Sequence, residues 1–215
     1  MSYHGKYCPG PNQPLHRSLL LLYIVLILTV CLPSSFFAQS NARTIPRSLD
    51  QLTAEAAVIV HGYVTSATFE PHPQLRNLMT VVVTMRVVET YKGPARKTIT
   101  FRQYVWDLNQ QKVAAGEYGK GQELLLLLRP VSEYGLTSPV GLEQGRFLIS
   151  RDRQGKVTAA NGRGNFGLFN SVAQRAQARG LHLSPRTLAV ARQHRAGPIE
   201  LSDLKEAIRT FVGTR

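Results

Sequence analysis

The chain has 215 residues, a formal net charge of +13 and two cysteines. Because Cys8 and Cys31 both lie in the first 40 residues, the remaining 175 can form neither a disulfide framework nor a thiolate metal site. Those 175 residues are enough for one domain, which an apolar core must stabilise without covalent cross-links.

Residues 1–40 are predicted to be a secretory signal peptide or an N-terminal membrane anchor. Lys6 and Arg17 precede an uncharged, almost wholly apolar run at residues 18–32, and small residues then follow at positions 38 and 40. A charged start, an apolar middle and a small-residue end are typical of a cleaved signal peptide, which predicts a periplasmic or secreted protein.

Two alternatives to cleavage remain open for this segment. Extended over residues 18–38, the apolar run has about 21 residues, enough for an uncleaved helix that would associate the protein with a membrane. A lipid on Cys31 is the other alternative, although Val30 is larger than the residue that normally precedes a lipidated cysteine. Every alternative predicts export.

The first element after this segment is a short helix, followed by a run of strands. Ser48 and Gln51 have the spacing of a capping box, which predicts a helix that ends near Ala57. Strand patterns follow at residues 58–64, 79–87, 98–102, 124–128, 147–149 and 157–159.

Two of these strands carry special features. Gly62 interrupts the β-branched residues of the first strand, which indicates a bulge or a close backbone approach. The unbroken leucine run at residues 124–128 predicts a strand that is buried on both faces. Closing five or six such strands into a small β-barrel would remove exposed edges, so we predict a mainly β domain at residues 41–170.

Residues 171–215 are predicted to form a basic helical tail that packs on the barrel. Its last helix would begin at Ser202 and present Leu204, Ile208, Phe211 and Val212 as an apolar stripe. Residues 146–215 contain 13 Lys+Arg and 4 Asp+Glu, whereas residues 41–145 contain 11 and 9. The basic excess would attract acidic glycans, anionic lipids or phosphate, or it would simply be a solvated face.

Four segments carry a family resemblance. Residues 52–64, 87–93, 121–128 and 140–147 resemble a poorly characterised group of secreted bacterial domains and, through them, the netrin-like or tissue-inhibitor-of-metalloproteinase-like barrel. The resemblance covers about residues 50–150 and implies an OB-like fold. The metalloproteinase inhibitors of that superfamily chelate zinc through a mature N-terminal cysteine, which is missing after residue 40, so no functional residue carries over.

Motifs for catalysis, metals and cofactors are weak throughout the chain. Gly162–Gly167 matches the glycine pattern of dinucleotide-binding loops, but no acidic residue lies between Asp152 and Glu200 to hold a ribose. His61, Glu70 and His72 match no common zinc spacing. We therefore predict no cofactor, no metal site and no catalytic residue.

A further alternative for the glycine-rich loop is nucleic-acid binding. Arg163, Phe166 and Phe169 could offer an arginine and two stacking rings to a single strand, but an exported protein seldom meets nucleic acid.

The leading hypothesis for function is a non-catalytic binding or accessory module of the bacterial cell envelope or the extracellular space, with an unknown protein, glycan or lipid partner. The second hypothesis is polyanion binding by the basic last third, for which the candidate residues are Arg151, Arg153, Lys156 and Arg163. The third is a hydrolase of unrecognised type, which would need a polar pocket containing His61 or Asp107.

Overall fold

The computed structural model of the chain describes residues 45–105 and 118–213, together with Gly5. The predicted signal peptide or anchor at residues 1–40, the membrane association of residues 18–38 and the hypothesis on Asp107 lie outside the described residues. Within the described ranges, no helix has the length and apolarity needed to span a membrane.

The described residues form four α-helices, seven β-strands and one short 3-10 helix. The helices are α1 (Leu49–Glu55), α2 (Val172–Ala178), α3 (Pro185–Gln193) and α4 (Leu201–Val212), and the 3-10 helix is Leu142–Gly145. The strands are β1 (Val58–Pro71), β2 (Met79–Lys92), β3 (Thr98–Tyr104), β4 (Glu123–Leu128), β5 (Arg146–Arg151), β6 (Val157–Asn161) and β7 (Ile199–Glu200).

The seven strands form one open antiparallel sheet in the order β3-β2-β1-β4-β5-β6-β7. The mainly β prediction is confirmed, but the predicted closed barrel of five or six strands is wrong, because β3 and β7 are the two edges of an open sheet. Helices cover one face of the sheet, so closure is not needed to bury it. Strand β7 was not predicted, because two residues are too few to show a strand period.

Each face of the sheet packs into its own apolar cluster. Leu125 and Leu127 of β4 point to the helix-facing side of the sheet, where they belong to one apolar cluster with buried residues of α1 and α4. Leu124, Leu126 and Leu128 point to the other side, where they pack against β1, β2 and β3. The prediction that the leucine run is buried on both faces is therefore confirmed.

Gly62 marks an irregular point in β1. A Cβ atom there would lie 2.2 Å from the Arg86 carbonyl oxygen of β2, and the pairing register shifts between His61 and Gly62. The predicted close backbone approach is confirmed, and it lies beside a buried histidine.

The capping box at the start of α1 is also confirmed. The backbone N–H of Ser48 donates to Gln51 Oε1 at 3.0 Å. Asp50, in the first turn, is 2% exposed and accepts hydrogen bonds from Arg175 at 2.8 Å. This pair joins α1 to α2, across 125 residues of chain.

Helix α4 follows β7 without an intervening loop. The residue at its N-cap is Glu200 rather than the predicted Ser202, since the chain passes directly from the sheet into the helix. Leu204 and Ile208 are fully buried in the helix-facing cluster, with Phe211 and Val212 packed against it. The predicted apolar stripe therefore faces the sheet.

Candidate functional site

Helix α4 covers only part of the helix-facing side of the sheet. Along β1 and β4, the residues on this side change from the apolar Ile59 and Leu125 to the polar His61 and Glu123. Beyond the first turn of α4, these polar residues line an open groove of about 620 Å³. The end of β5, the start of β6 and the N-terminal end of α4 supply its other walls.

A buried histidine–carboxylate pair forms one wall of the groove. His61 Nε2 lies 2.9 Å from Glu123 Oε1, and the two side chains are 5% and 10% exposed. Burial lowers the pKa of His61, an effect that the hydrogen bond to Glu123 only partly offsets. The imidazole is therefore neutral at pH 7 and donates from Nε2 to the carboxylate. Its buried Nδ1 has no hydrogen-bond partner among the described residues.

The carboxylate of Glu123 also binds a cation. Arg151 NH2 donates to Glu123 Oε2 at 3.2 Å, while 57% of the arginine side chain remains exposed. Burial alone would raise the pKa of Glu123, but the hydrogen bond from His61 and the charge of Arg151 outweigh it and lower the pKa. Glu123 is thus an ionised link between a buried imidazole and an exposed guanidinium.

Two lysines complete the basic lining of the groove. Lys156 Nζ lies 3.2 Å from Glu200 Oε1, and Lys205 Nζ lies 3.0 Å from Glu89 Oε2. Burial opposes the ionisation of Glu89, but hydrogen bonds that include those from Tyr91 and Lys205 lower its pKa to about 2. Each cation of the groove is therefore held in position by a carboxyl group, namely Glu123, Glu200 or Glu89.

The groove also meets the positive end of a helix dipole. Helix α4 has 12 residues, and its N-cap residue, Glu200, makes no capping hydrogen bond through its side chain. Leu201 and Ser202, in the first turn, line the groove. Backbone N–H groups at a helix N-terminus favour a negative charge nearby.

The structure brings together two of the four basic residues that were predicted to bind polyanions. Arg151 is the last residue of β5, and Lys156 directly precedes β6, the strand that pairs with β5. Both residues line the groove. Arg153 lies in the turn between these strands and does not line it. Arg163 lies two residues beyond the other end of β6, a strand about 13 Å long at the usual rise per residue. The four residues do not form one cluster.

Glu123 and Lys205 were not predicted from the sequence to be groove residues. Glu123 directly precedes the leucine run and is two residues from Leu125. Because residues two apart in a strand point to the same side of the sheet, this spacing was the one signal in the sequence that Glu123 lies on the helix-facing side. No local pattern relates Lys205 to β1 or β5, because only the packing of α4 brings it there.

His61, Glu70 and His72, whose spacing matches no zinc signature, make separate contacts in the structure. Glu70 pairs with Arg102 at 2.6 Å, and His72 Nε2 lies 2.8 Å from the Tyr134 carbonyl oxygen. Over residues 45–105 and 118–213, no group of three His, Cys, Asp or Glu side chains is arranged to hold a metal ion.

The glycine-rich loop at residues 162–167 is a structural turn. Each of its six backbone N–H groups already donates to an acceptor within the protein. The side chain of Asn165, a residue with φ of 58°, donates to the carbonyls of Ala159 and Gly197 at 2.9 Å. No amide of this loop is left to bind a phosphate, which argues against a dinucleotide site.

The same loop offers one aromatic ring to solvent rather than two. Phe166 is 57% exposed, whereas Phe169 is 3% exposed and packs edge-on against His194. A single exposed ring is a weak platform for stacked bases.

No family model, curated protein or solved structure matches the chain. The resemblance to netrin-like barrels therefore stays a prediction.

Proposed function

We propose that the protein is an exported, non-catalytic binding module whose groove at the N-terminal end of α4 binds an acidic group of its ligand. The observation that carries the proposal is the convergence on that groove of Arg151 at the end of β5, Lys156 in the turn before β6 and Lys205 of α4. A carboxylate, sulfate or phosphate in the groove would meet all three cations and the first turn of α4.

The existing ion pairs leave donors free for such a ligand. Arg151 uses one N–H on Glu123 and has further donors among its five, and 57% of its side chain is exposed. Lys156 is 55% exposed beside Glu200. The ligand can therefore add hydrogen bonds to side chains that are already held in position, which lowers the entropy lost on binding.

The spacing of the basic residues favours a single acidic group over a long polyanion. Arg163 is separated from the groove, and Arg153 lies outside its lining. A polyanion that crosses the whole basic third is the alternative, and it would require both of these residues as well.

Export is supported by the order of features in residues 1–40, namely Lys6 and Arg17, the apolar run and the small residues at positions 38 and 40. The test is the N-terminal residue of the protein recovered from fractionated cells. A start near residue 41 in the periplasm or medium supports release, and an intact N-terminus in the membrane fraction supports anchoring. An intact chain in the cytoplasmic fraction contradicts export.

Ligand binding is tested by titrating the full-length chain with glucuronate, as a single acidic group, and with heparin, as a polyanion. The triple variant Arg151→Gln/Lys156→Gln/Lys205→Gln should weaken glucuronate binding at least tenfold, since it removes several charge-assisted hydrogen bonds. The matched control is Arg153→Gln/Arg163→Gln, which should leave glucuronate binding unchanged. If only heparin binds, and all five basic residues matter equally, the polyanion alternative is correct.

The non-catalytic part of the proposal has its own test, because His61 and Glu123 lie in the groove. The full-length chain and a His61→Ala variant are compared on a panel of ester, amide, phosphate and glycoside substrates. Turnover that disappears in His61→Ala would show a hydrolase and would contradict the proposal.

A further inference from the structure

A second pocket lies on the side of the sheet that faces away from the helices. It occupies about 210 Å³ between the first part of β1, the end of β2, β3 and the loop that follows β4. Its walls include Val60, Phe101 and Leu128, which are 2%, 6% and 2% exposed. The interior of the pocket is therefore apolar, and it continues the cluster on this side of the sheet.

The loop after β4 is held firmly over this pocket. The backbone N–H of Thr137 donates to the Arg102 carbonyl of β3 at 2.8 Å. The backbone N–H of Arg129 donates to the Ser138 carbonyl at 3.0 Å, and its carbonyl accepts from Thr137 Oγ1 at 2.8 Å. The pocket is thus enclosed by fixed backbone rather than by a free loop.

Two arginines line the same pocket without a salt-bridge partner. Arg96, in the turn between β2 and β3, and Arg129, after β4, are both exposed, and neither forms an ion pair with any residue of the described ranges. The pocket lining contains no Asp or Glu. An apolar cavity with two unpaired cations at its rim is complementary to a molecule with an apolar body and a negative group.

The size of the pocket limits that apolar body. A dry cavity of about 150 Å³ holds a benzene ring, whereas drug-sized ligands occupy pockets of about 300–1,000 Å³. A volume of about 210 Å³ therefore suits one aromatic ring or one short branched alkyl group, and it is too small for a long acyl chain.

We propose that this arginine-rimmed pocket, defined by Val60, Phe101, Leu128, Arg96 and Arg129, binds a small carboxylic acid that carries one aromatic ring or a short branched alkyl group. The ring or alkyl group fills the apolar interior, and the carboxylate accepts hydrogen bonds from Arg96 and Arg129 at the rim. The site is separate from the groove at α4, and it does not depend on the function proposed for that groove.

The test uses the full-length chain with ¹³C-labelled Ile, Leu and Val methyl groups, titrated with 3-phenylpropionate. The methyl signals of Val58, Val60, Val87 and Ile99, which line the pocket, should shift in a saturable manner. The matched probes are 3-phenylpropan-1-ol, which lacks the charge, and acetate, which lacks the ring. Each should bind at least about fivefold more weakly than 3-phenylpropionate, because each lacks one of the two contacts.

Charge variants locate the carboxylate. Arg96→Gln and Arg129→Gln should each weaken 3-phenylpropionate binding about threefold to tenfold, since both side chains are solvent-exposed and contribute modestly. Arg192→Gln, an exposed arginine of α3 outside the pocket, is the matched control and should bind as the wild type does.

The proposal is overturned if 3-phenylpropionate causes no saturable shift of the four methyl signals. It is also overturned if 3-phenylpropan-1-ol binds as tightly as the acid, or if neither rim variant differs from Arg192→Gln. Loss of binding in the groove triple variant, with the rim variants unaffected, would place the acid in the groove instead.

Discussion

His61 and Glu123 are 62 residues apart in the chain and are joined by a 2.9 Å contact between Nε2 and Oε1 on adjacent strands β1 and β4. The pair is buried, yet it lies at the wall of a groove that also contains three cations. The lowered pKa of His61 and the lowered pKa of Glu123 keep the imidazole neutral and the carboxylate ionised at pH 7. This charge state has a measurable consequence for stability.

We expect the free energy of unfolding to fall as the pH is lowered from 7.5 to 5.5, in part because of His61. The pKa of this imidazole is lower in the folded state than in the unfolded state, so the unfolded chain takes up a proton first as the pH falls through about 6.5. The stability that neutral His61 contributes is present above that pH and is lost below it. Urea unfolding of the full-length chain at both pH values measures the loss.

The matched variants for this prediction are His61→Gln and His182→Gln. His182 is exposed, so its replacement should leave the pH dependence unchanged, whereas His61→Gln should make it smaller. A pH dependence that is equal in the wild type and in His61→Gln would contradict the assignment.

Replacing Arg175 with Ala should destabilise the protein by about 2–3 kcal/mol, because it leaves the buried carboxylate of Asp50 without its main partner. Burial would raise the pKa of Asp50, but Arg175 and Ser48 outweigh it and lower the pKa. Arg179→Ala is the control, since Arg179 lies 3.8 Å from Asp50 and is 52% exposed, and it should cost less than about 1 kcal/mol. Equal losses from the two variants, measured by urea unfolding, would show that the bidentate contact is unimportant.

Replacing Gly62 with Ala should destabilise the protein by about 1–3 kcal/mol, because the new methyl group would lie 2.2 Å from the Arg86 carbonyl oxygen and would push β1 and β2 apart. Gly119→Ala is the matched control. The nearest atom to a Cβ there belongs to the Gln122 side chain at 3.3 Å, so the neighbour has to shift far less than the Arg86 backbone would. Thermal unfolding of both variants tests the difference, and a Gly62→Ala protein as stable as the control would refute it.

Replacing Leu126 with Ala should cost about 2–5 kcal/mol, because Leu126 is fully buried and its loss leaves a cavity. Leu148, on the neighbouring strand β5, is 40% exposed, and Leu148→Ala should cost less than about 1 kcal/mol. Urea unfolding measures both changes. A small loss for Leu126→Ala would mean that the central strand is not tightly packed on the face opposite the helices.

The local elements of this protein were predictable because their signals repeat within a few residues. The period of two in β2, the leucine run of β4, the capping box of α1 and the glycine of β1 all depend on neighbours in sequence. The groove was only half predictable. Arg151 and Lys156 lie between the strands that were predicted at residues 147–149 and 157–159, and their proximity follows once these neighbouring strands pair.

The sequence by itself determined where most strands lie, that residues 124–128 are buried on both faces and that the last third is basic. Tertiary structure alone decided that the sheet stays open, that Ile199 and Glu200 extend it, and that Lys205 and Glu123 line the same groove. The physical reason is that side-chain periodicity records which face of an element is buried, whereas the partner that buries it is chosen by packing between residues far apart in the chain. Helices rather than strand closure cover the sheet here, so its polar end stays uncovered beyond α4 and forms the groove.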